Sequence, residues 1–131
     1  MPSPETKWLL DTAILVDLLR GSTAARRWVD SVPKAARSLS VATVAELIAG
    51  CRNRKEQSVV EREIELYTVL WVTEGISQSA LDLYKRFYLS HGVGFLDCLI
   101  AATATEHRLR LATLNLSHFT PVPNLQVERP Y

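Results

Sequence analysis

Short apolar runs alternate with stretches of helical spacing along the whole chain, and no other feature narrows its fold as much. Residues 7–10 make a brief apolar run suited to a buried strand. Directly after it, Ile14, Leu15, Leu18 and Leu19 fall at helical intervals, and Gly21 offers a stop. "STAARRWVDSV" predicts a second short helix. "RSLSVAT" predicts a strand with Leu39 and Val41 facing one way, and "TVAELIAGCR" a further helix. "KEQSVVEREIELYTVL" is amphipathic, with Val60, Ile64 and Tyr67 on one stripe. "LWVT" follows as a short strand. "ISQSALDLYKRFYLSHG" sets Ala80, Leu81, Tyr84 and Tyr88 on one helical face, and "GFLDCLIAATATEHRL" is a helix rich in small residues that allow close packing on a sheet. "RLRLATL" and "NLQVERP" close the series as strands.

Such alternation calls for an α/β fold, doubly wound, with a mostly parallel sheet of four to five strands and helices on both faces. A length of 131 residues argues for a single domain spanning 1–131. In such folds ligands bind beyond the carboxyl ends of the strands. The formal net charge of +1 announces neither nucleic acid nor membrane, so any phosphate-binding surface has to be local. No segment has the roughly 18 uninterrupted apolar residues of a membrane span, and Asp11 and Asp17 break the N-terminal run as a signal peptide. Cys51 and Cys98 lie far apart in helix-like contexts, which predicts reduced thiols in a cytoplasmic protein rather than a disulfide or a zinc site.

An aspartate interrupts "WLLDTAILVDLLRG" where the pattern asks for core. Asp11 marks the point where the first strand gives way to the first helix. Taken alone it is an ordinary N-cap. Glu46 is predicted in the first turn of the helix after the second strand, where Thr43-Val-Ala-Glu46 fits a capping box. Asp97 opens another helix, where a negative charge suits the positive end of the dipole. Together the three differ from any one of them, because each follows a strand or loop and opens a helix. In a doubly wound fold such places converge at one end of the sheet. Three crowded carboxylates raise one another's pKa unless a cation offsets them. Oxygen donors with no predicted His or Cys beside them select Mg²⁺ or Mn²⁺ over Zn²⁺.

The strand "RLRLATLN" carries Thr113 and Asn115 to the same end, where they would orient water or a phosphate oxygen, and Thr12 beside Asp11 would do likewise. Asp17, Asp30, Asp82 and the acids of the Glu61–Glu65 run are expected on solvated helix faces. His91, His107 and His118 show no metal spacing and are expected to be surface or packing residues. Arg26, Arg27, Lys34, Arg37, Arg52, Arg54 and Lys55 supply positive charge in the first half, most densely in "CRNRKEQ". They are either solvated or a rim for RNA phosphates.

The segments "LLDTAILVDLLRG", "SVATVAELIAG", "GFLDCLIAATA" and "LATLNLSHF", in this order and spacing, closely resemble the PIN-domain ribonucleases, and among them the VapC toxins of prokaryotic toxin–antitoxin pairs. The resemblance spans nearly the whole chain. It implies a PIN-like fold, an Mg²⁺- or Mn²⁺-dependent endoribonuclease acting on RNA, an antitoxin partner that blocks the site, and a homodimer. It places the family's first acid on Asp11, its helix-borne glutamate on Glu46 and its third acid on Asp97, with Thr12 as the hydroxyl after the first acid. The fourth position, often Asp in the family, is Asn115, which leaves the site one negative charge lighter.

The mechanism expected on this basis is hydrolysis of an RNA phosphodiester, with Asp11, Glu46 and Asp97 holding the cation and Asn115 and Thr113 orienting water or phosphate. A phosphotransferase of the haloacid-dehalogenase type needs a second Asp two positions after the first, where this chain has Ala13. A receiver domain needs paired acids after the first strand and a late lysine, and both are missing. The alternative that stays open is a catalytically weak RNA-binding or scaffold module of the same fold, although three carboxylates hinder rather than help the binding of an anion.

Overall fold

The computed structural model describes residues 5–131. Its centre is a five-stranded sheet made of β1 (Trp8–Leu10), β2 (Arg37–Ser40), β3 (Thr68–Leu70), β4 (Arg110–Ala112) and β5 (Val127–Glu128). The strands lie in the order β3-β2-β1-β4-β5, and every pairing is parallel. The expected parallel α/β architecture is therefore present, with five strands. The chain builds outward from β1 through β2 to β3, then returns to β1's other side for β4 and β5. Strand order reverses beside β1, and there the carboxyl ends open a crevice.

β1 alternates between the two faces, as a strand must. Trp8 and Leu10 point into one core half with Leu15, Leu39 and Ala112, while Leu9 points into the other with Ile100, Leu111 and Phe119. Four helices cover the first face: α1 (Thr12–Leu19), α2 (Thr23–Ser31), α3 (Val41–Ala49) and α4 (Arg54–Ile64). Two longer helices, α5 (Glu74–His91) and α6 (Phe95–Glu106), pack together on the second face, followed by the four-residue α7 (Leu116–Phe119). α6 buries Cys98, Ala101, Ala102, Thr103 and Ala104. The small side chains let its backbone lie close to the sheet. The buried Thr103 hydroxyl donates to the Leu99 carbonyl at 2.6 Å, which satisfies it within the helix.

Several local expectations shift. The strand predicted at residues 37–43 ends at Ser40, whose hydroxyl caps α3 by accepting from the Ala42 N–H, so Val41 is helical. α4 stops at Ile64 rather than near residue 70, and β3 begins at Thr68, so "LWVT" shares only Leu70 with a strand. Trp71 is 69% exposed. On α5 the buried line is Ile76 and Ala80, continued by Leu83, Tyr84 and Phe87, whereas Leu81 and Tyr88 face solvent. α5 ends at Gly92, whose φ of 63° is the left-handed cap conformation that glycine adopts without strain. That turn delivers the chain to α6 within three residues.

Candidate active site

The site is assembled from the ends of β1 and β4 and the helices that follow them. The Asp11 N–H donates to the Ala112 carbonyl at 2.9 Å, and the Thr113 N–H to the Glu128 carbonyl at 3.1 Å, so both residues are fixed by the sheet itself. Asp11 is buried and serves as N-cap of α1, with Oδ1 accepting from the Thr12 N–H at 2.8 Å. Its Oδ2 accepts from the hydroxyl of the fully buried Thr113 at 2.7 Å. Thr113 Oγ1 in turn accepts from the Asn115 N–H at 3.0 Å, which sets the turn after β4.

Glu46 is joined to this group through Thr12, whose hydroxyl donates to Glu46 Oε1 at 2.9 Å and lies 3.0 Å from the hydroxyl of Thr43. A hydroxyl has one proton. Because Thr12 gives its proton to the carboxylate, the fully buried Thr43 is the donor in the second bond. α3 begins at Val41, so Glu46 sits in its second turn, not its first. The capping-box reading of Thr43 and Glu46 is thus corrected. The two share a helix face that points at Thr12.

Asp97 lies in the first turn of α6, whose N-cap, Gly94, has no side chain to offer. Its Oδ2 is 3.1 Å from Nδ1 of His118. That nitrogen also lies 2.9 Å from Nδ2 of Asn115. A continuous polar chain therefore runs from Glu46 through Thr12, Asp11, Thr113, Asn115 and His118 to Asp97. His118 was expected to be an ordinary surface or packing histidine; instead it touches the third acid. Its spacing of three from Asn115 on one helical turn was the available signal. Thr43 is the other residue the sequence does not single out for the site: its spacing of three from Glu46 suggests a capping box, but its hydroxyl meets Thr12 instead.

Burial is the largest cause of a raised pKa at Asp11. The donors Thr113 and Thr12 oppose it, and the negative charges of Asp97 and Glu46 push it further up. Asp11 therefore feels the charge of both other carboxylates. The donor set of the three is oxygen only, and the hydrogen bonds found among the described residues use Glu46 Oε1 and Asp97 Oδ2, not Glu46 Oε2 or Asp97 Oδ1. Among the described residues, however, no three side chains of His, Cys, Asp or Glu form a ready-made ligand set for one ion. The arrangement fits a hard cation bound through one or two carboxylates with water completing its shell, which is the usual habit of Mg²⁺. It does not fit an all-protein cage.

The basic residues divide. Arg26 is paired with Glu63 at 2.8 Å and with Asp30, Arg37 donates to the Val32 carbonyl, and Arg52 is paired with Glu56. Glu63, expected to be solvated, has a side chain only 11% exposed and also accepts from the Tyr67 hydroxyl. Asp17 likewise accepts from the Tyr131 hydroxyl at 2.9 Å. Both carboxylates are half-buried for one reason: a tyrosine hydroxyl from outside the helix packs over them and donates. Among the described residues no helix is long and apolar enough to cross a membrane.

The sequence matches the PIN domain family over residues 8–119. Ribonuclease VapC10 of Mycobacterium tuberculosis is 42% identical over 113 residues, which cover 85% of this chain and 84% of that protein. Ribonuclease VapC19 of the same organism is 36% identical over 123 residues, covering 90% and 96%. In a solved toxin–antitoxin complex from Klebsiella pneumoniae, the matching chain is 26% identical with a TM-score of 0.81, covering 95% of this chain and 98% of that one.

Proposed function

Since the chain belongs to the PIN-domain family, and within it to the VapC ribonucleases, we propose that it hydrolyses RNA phosphodiester bonds at the crevice beyond β1 and β4, using Mg²⁺ or Mn²⁺. Asp11, Glu46 and Asp97 are the residues that would hold the cation, one or two of them directly and the rest through water. A divalent ion there supplies positive charge against the scissile phosphate and acidifies a water nucleophile. The remaining work falls to the chain's own side chains. Thr113 holds Asp11 from the buried side, and Thr12 ties Glu46 to the same site. Asn115 orients RNA or water at the rim, and an ionised carboxylate of the trio accepts the proton released by the attacking water.

One observation carries this reading. A buried aspartate is linked through threonine hydrogen bonds to the rest of the polar chain, feels the negative charge of two further carboxylates, and among the described residues takes its side-chain hydrogen bonds from Thr12 and Thr113 rather than from a cation. A site built only to bind an anion would not be made this way. Asp11→Asn should lower RNA cleavage about a hundredfold or more. EDTA should abolish cleavage by the unmodified protein, and Mg²⁺ should restore it. Cleavage by Asp11→Asn at the unmodified rate would end the proposal.

The family and the solved complex support a VapB-type antitoxin as partner. A groove of about 570 Å³, floored by Val16, Leu19, Leu47, Val59 and Val60 and bordered by Glu46, offers an apolar seat next to the site. Co-purification with a small protein encoded beside this chain tests the pairing, and light scattering tests the expected homodimer. Cys51 and Cys98 are both free thiols, which suits a cytoplasmic protein.

A further inference from the structure

His118 alone among the histidines reaches the acidic site, and its position is well supported. Its neighbour Phe119 is fully buried in the core half that holds Leu9 and Leu111, and its own N–H donates to the Asn115 carbonyl at 3.1 Å. The ring nitrogen Nδ1 faces two groups at once, Oδ2 of Asp97 at 3.1 Å and the side-chain amide of Asn115 at 2.9 Å. One nitrogen cannot accept from Asn115 and donate to Asp97 with the same proton. The carboxylate decides the outcome. A bare Nδ1 lone pair against a carboxylate oxygen is repulsive, whereas an N–H there makes a charge-assisted bond roughly twice as strong as a neutral one. With the proton on Nδ1 given to Asp97, the ring's remaining lone pair is on Nε2, 3.4 Å from the Asn115 amide nitrogen, so that amide is left as a donor toward the ring.

We propose that His118 is a positioning residue, whose Nδ1–H holds the Asp97 carboxylate in place at the mouth of the site. This rests on the nuclease reading above and specifies how its third acid is aimed. It also accounts for Asn rather than Asp at position 115. An aspartate there would set a second carboxylate against the same ring nitrogen and compete with Asp97 for its single proton.

The test has two arms. Nitrogen-detected NMR of the metal-free protein at pH 8.5, where an imidazole is ordinarily neutral, should find His118 in the Nδ1–H tautomer. Asp97→Ala should return it to the Nε2–H form. In the second arm, His118→Leu should weaken Mn²⁺ binding, followed by electron paramagnetic resonance, by about tenfold, and lower kcat/KM for RNA by about 10–100-fold. His118→Asn places an amide nitrogen where Nδ1 was, and should recover both to within about threefold of the unmodified protein. An Nε2–H tautomer in the unmodified protein would overturn the proposal. So would His118→Leu with unchanged Mn²⁺ affinity and cleavage. If Asp11→Asn also cleaves RNA normally, the nuclease reading itself fails, while the tautomer still decides the bond to Asp97.

Discussion

Asp11 is buried as a carboxylate among carboxylates, and this sets stability against function at a single residue. Its folded pKa is raised, first by burial and then by Asp97 and Glu46, against the opposing hydrogen bonds of Thr113 and Thr12. The stability it contributes is therefore present below its unfolded pKa of about 3.9 and lost as pH rises through the folded value. At neutral pH the ionised group is a burden on the metal-free fold. Asp11→Asn removes the charge while Oδ1 still accepts from the Thr12 N–H and the new NH₂ faces Thr113 Oγ1. Differential scanning fluorimetry without divalent ions at pH 7 should show a higher Tm for Asp11→Asn than for the unmodified protein. Mg²⁺ should then raise the Tm of the unmodified protein and leave the variant nearly unmoved. A variant that melts lower, or gains as much from Mg²⁺, would contradict this account. At this scale much was legible. Asp11, Glu46, Asp97, Thr12, Thr113 and Asn115 stand out in the sequence as polar residues at or near the starts of helices, and the fold joins them, with His118, in one network. His118 did not stand out, because its role depends on meeting Asp97, 21 residues away on another helix.

Each helix must also aim what it carries, and α6 shows how. Asp97 stands in its first turn, so the lateral position of the helix on the sheet sets where that carboxylate goes. Ala104 is fully buried against the core half of Leu9, Leu111 and Phe119. Ala104→Leu adds volume where there is none. It should cost about 1–3 kcal/mol, seen as a Tm lower by about 3–10 °C, and should reduce cleavage more than Glu106→Ala on the exposed side of the same helix. Equal stability of the two variants would mean that α6 does not lie as close to the sheet as its small residues suggest. The type of nearly every element was readable from spacing, but boundaries were less so, for definite reasons. Ser40 caps α3 three residues before Thr43, and nothing in a run of Ser, Val, Ala and Thr marks which hydroxyl does so. α4 lacks a Gly or Pro to end it. The helical spacing of Val60, Ile64 and Tyr67 therefore ran past its true end, because Tyr67 is buried beyond the helix for a separate reason, its hydrogen bond to Glu63.

For the whole molecule, the decisive fact is that β1 lies between β2 and β4. Periodicity announces a parallel sheet but not its strand order, which depends on pairings such as Leu9 with Ser38 and with Leu111, far apart in the chain. The central place gives three consecutive residues three separate tasks: Leu9 fills one core half, Leu10 the other, and Asp11 begins the site. The two halves meet at this strand, so neither should unfold without the other. Leu9 and Leu10 are both fully buried, and Leu9→Ala and Leu10→Ala should each cost about 2–5 kcal/mol, although they hollow out opposite faces. Trp8 and Trp28 stack edge to face in the half that holds Leu10, so their fluorescence reports that half, while far-UV circular dichroism reports all the helices. In urea the two signals should fall together for both variants, and RNA cleavage should vanish over the same range. If Leu9→Ala loses helical signal before the tryptophans respond, the halves are independent. The site at their junction would then be held by one half alone.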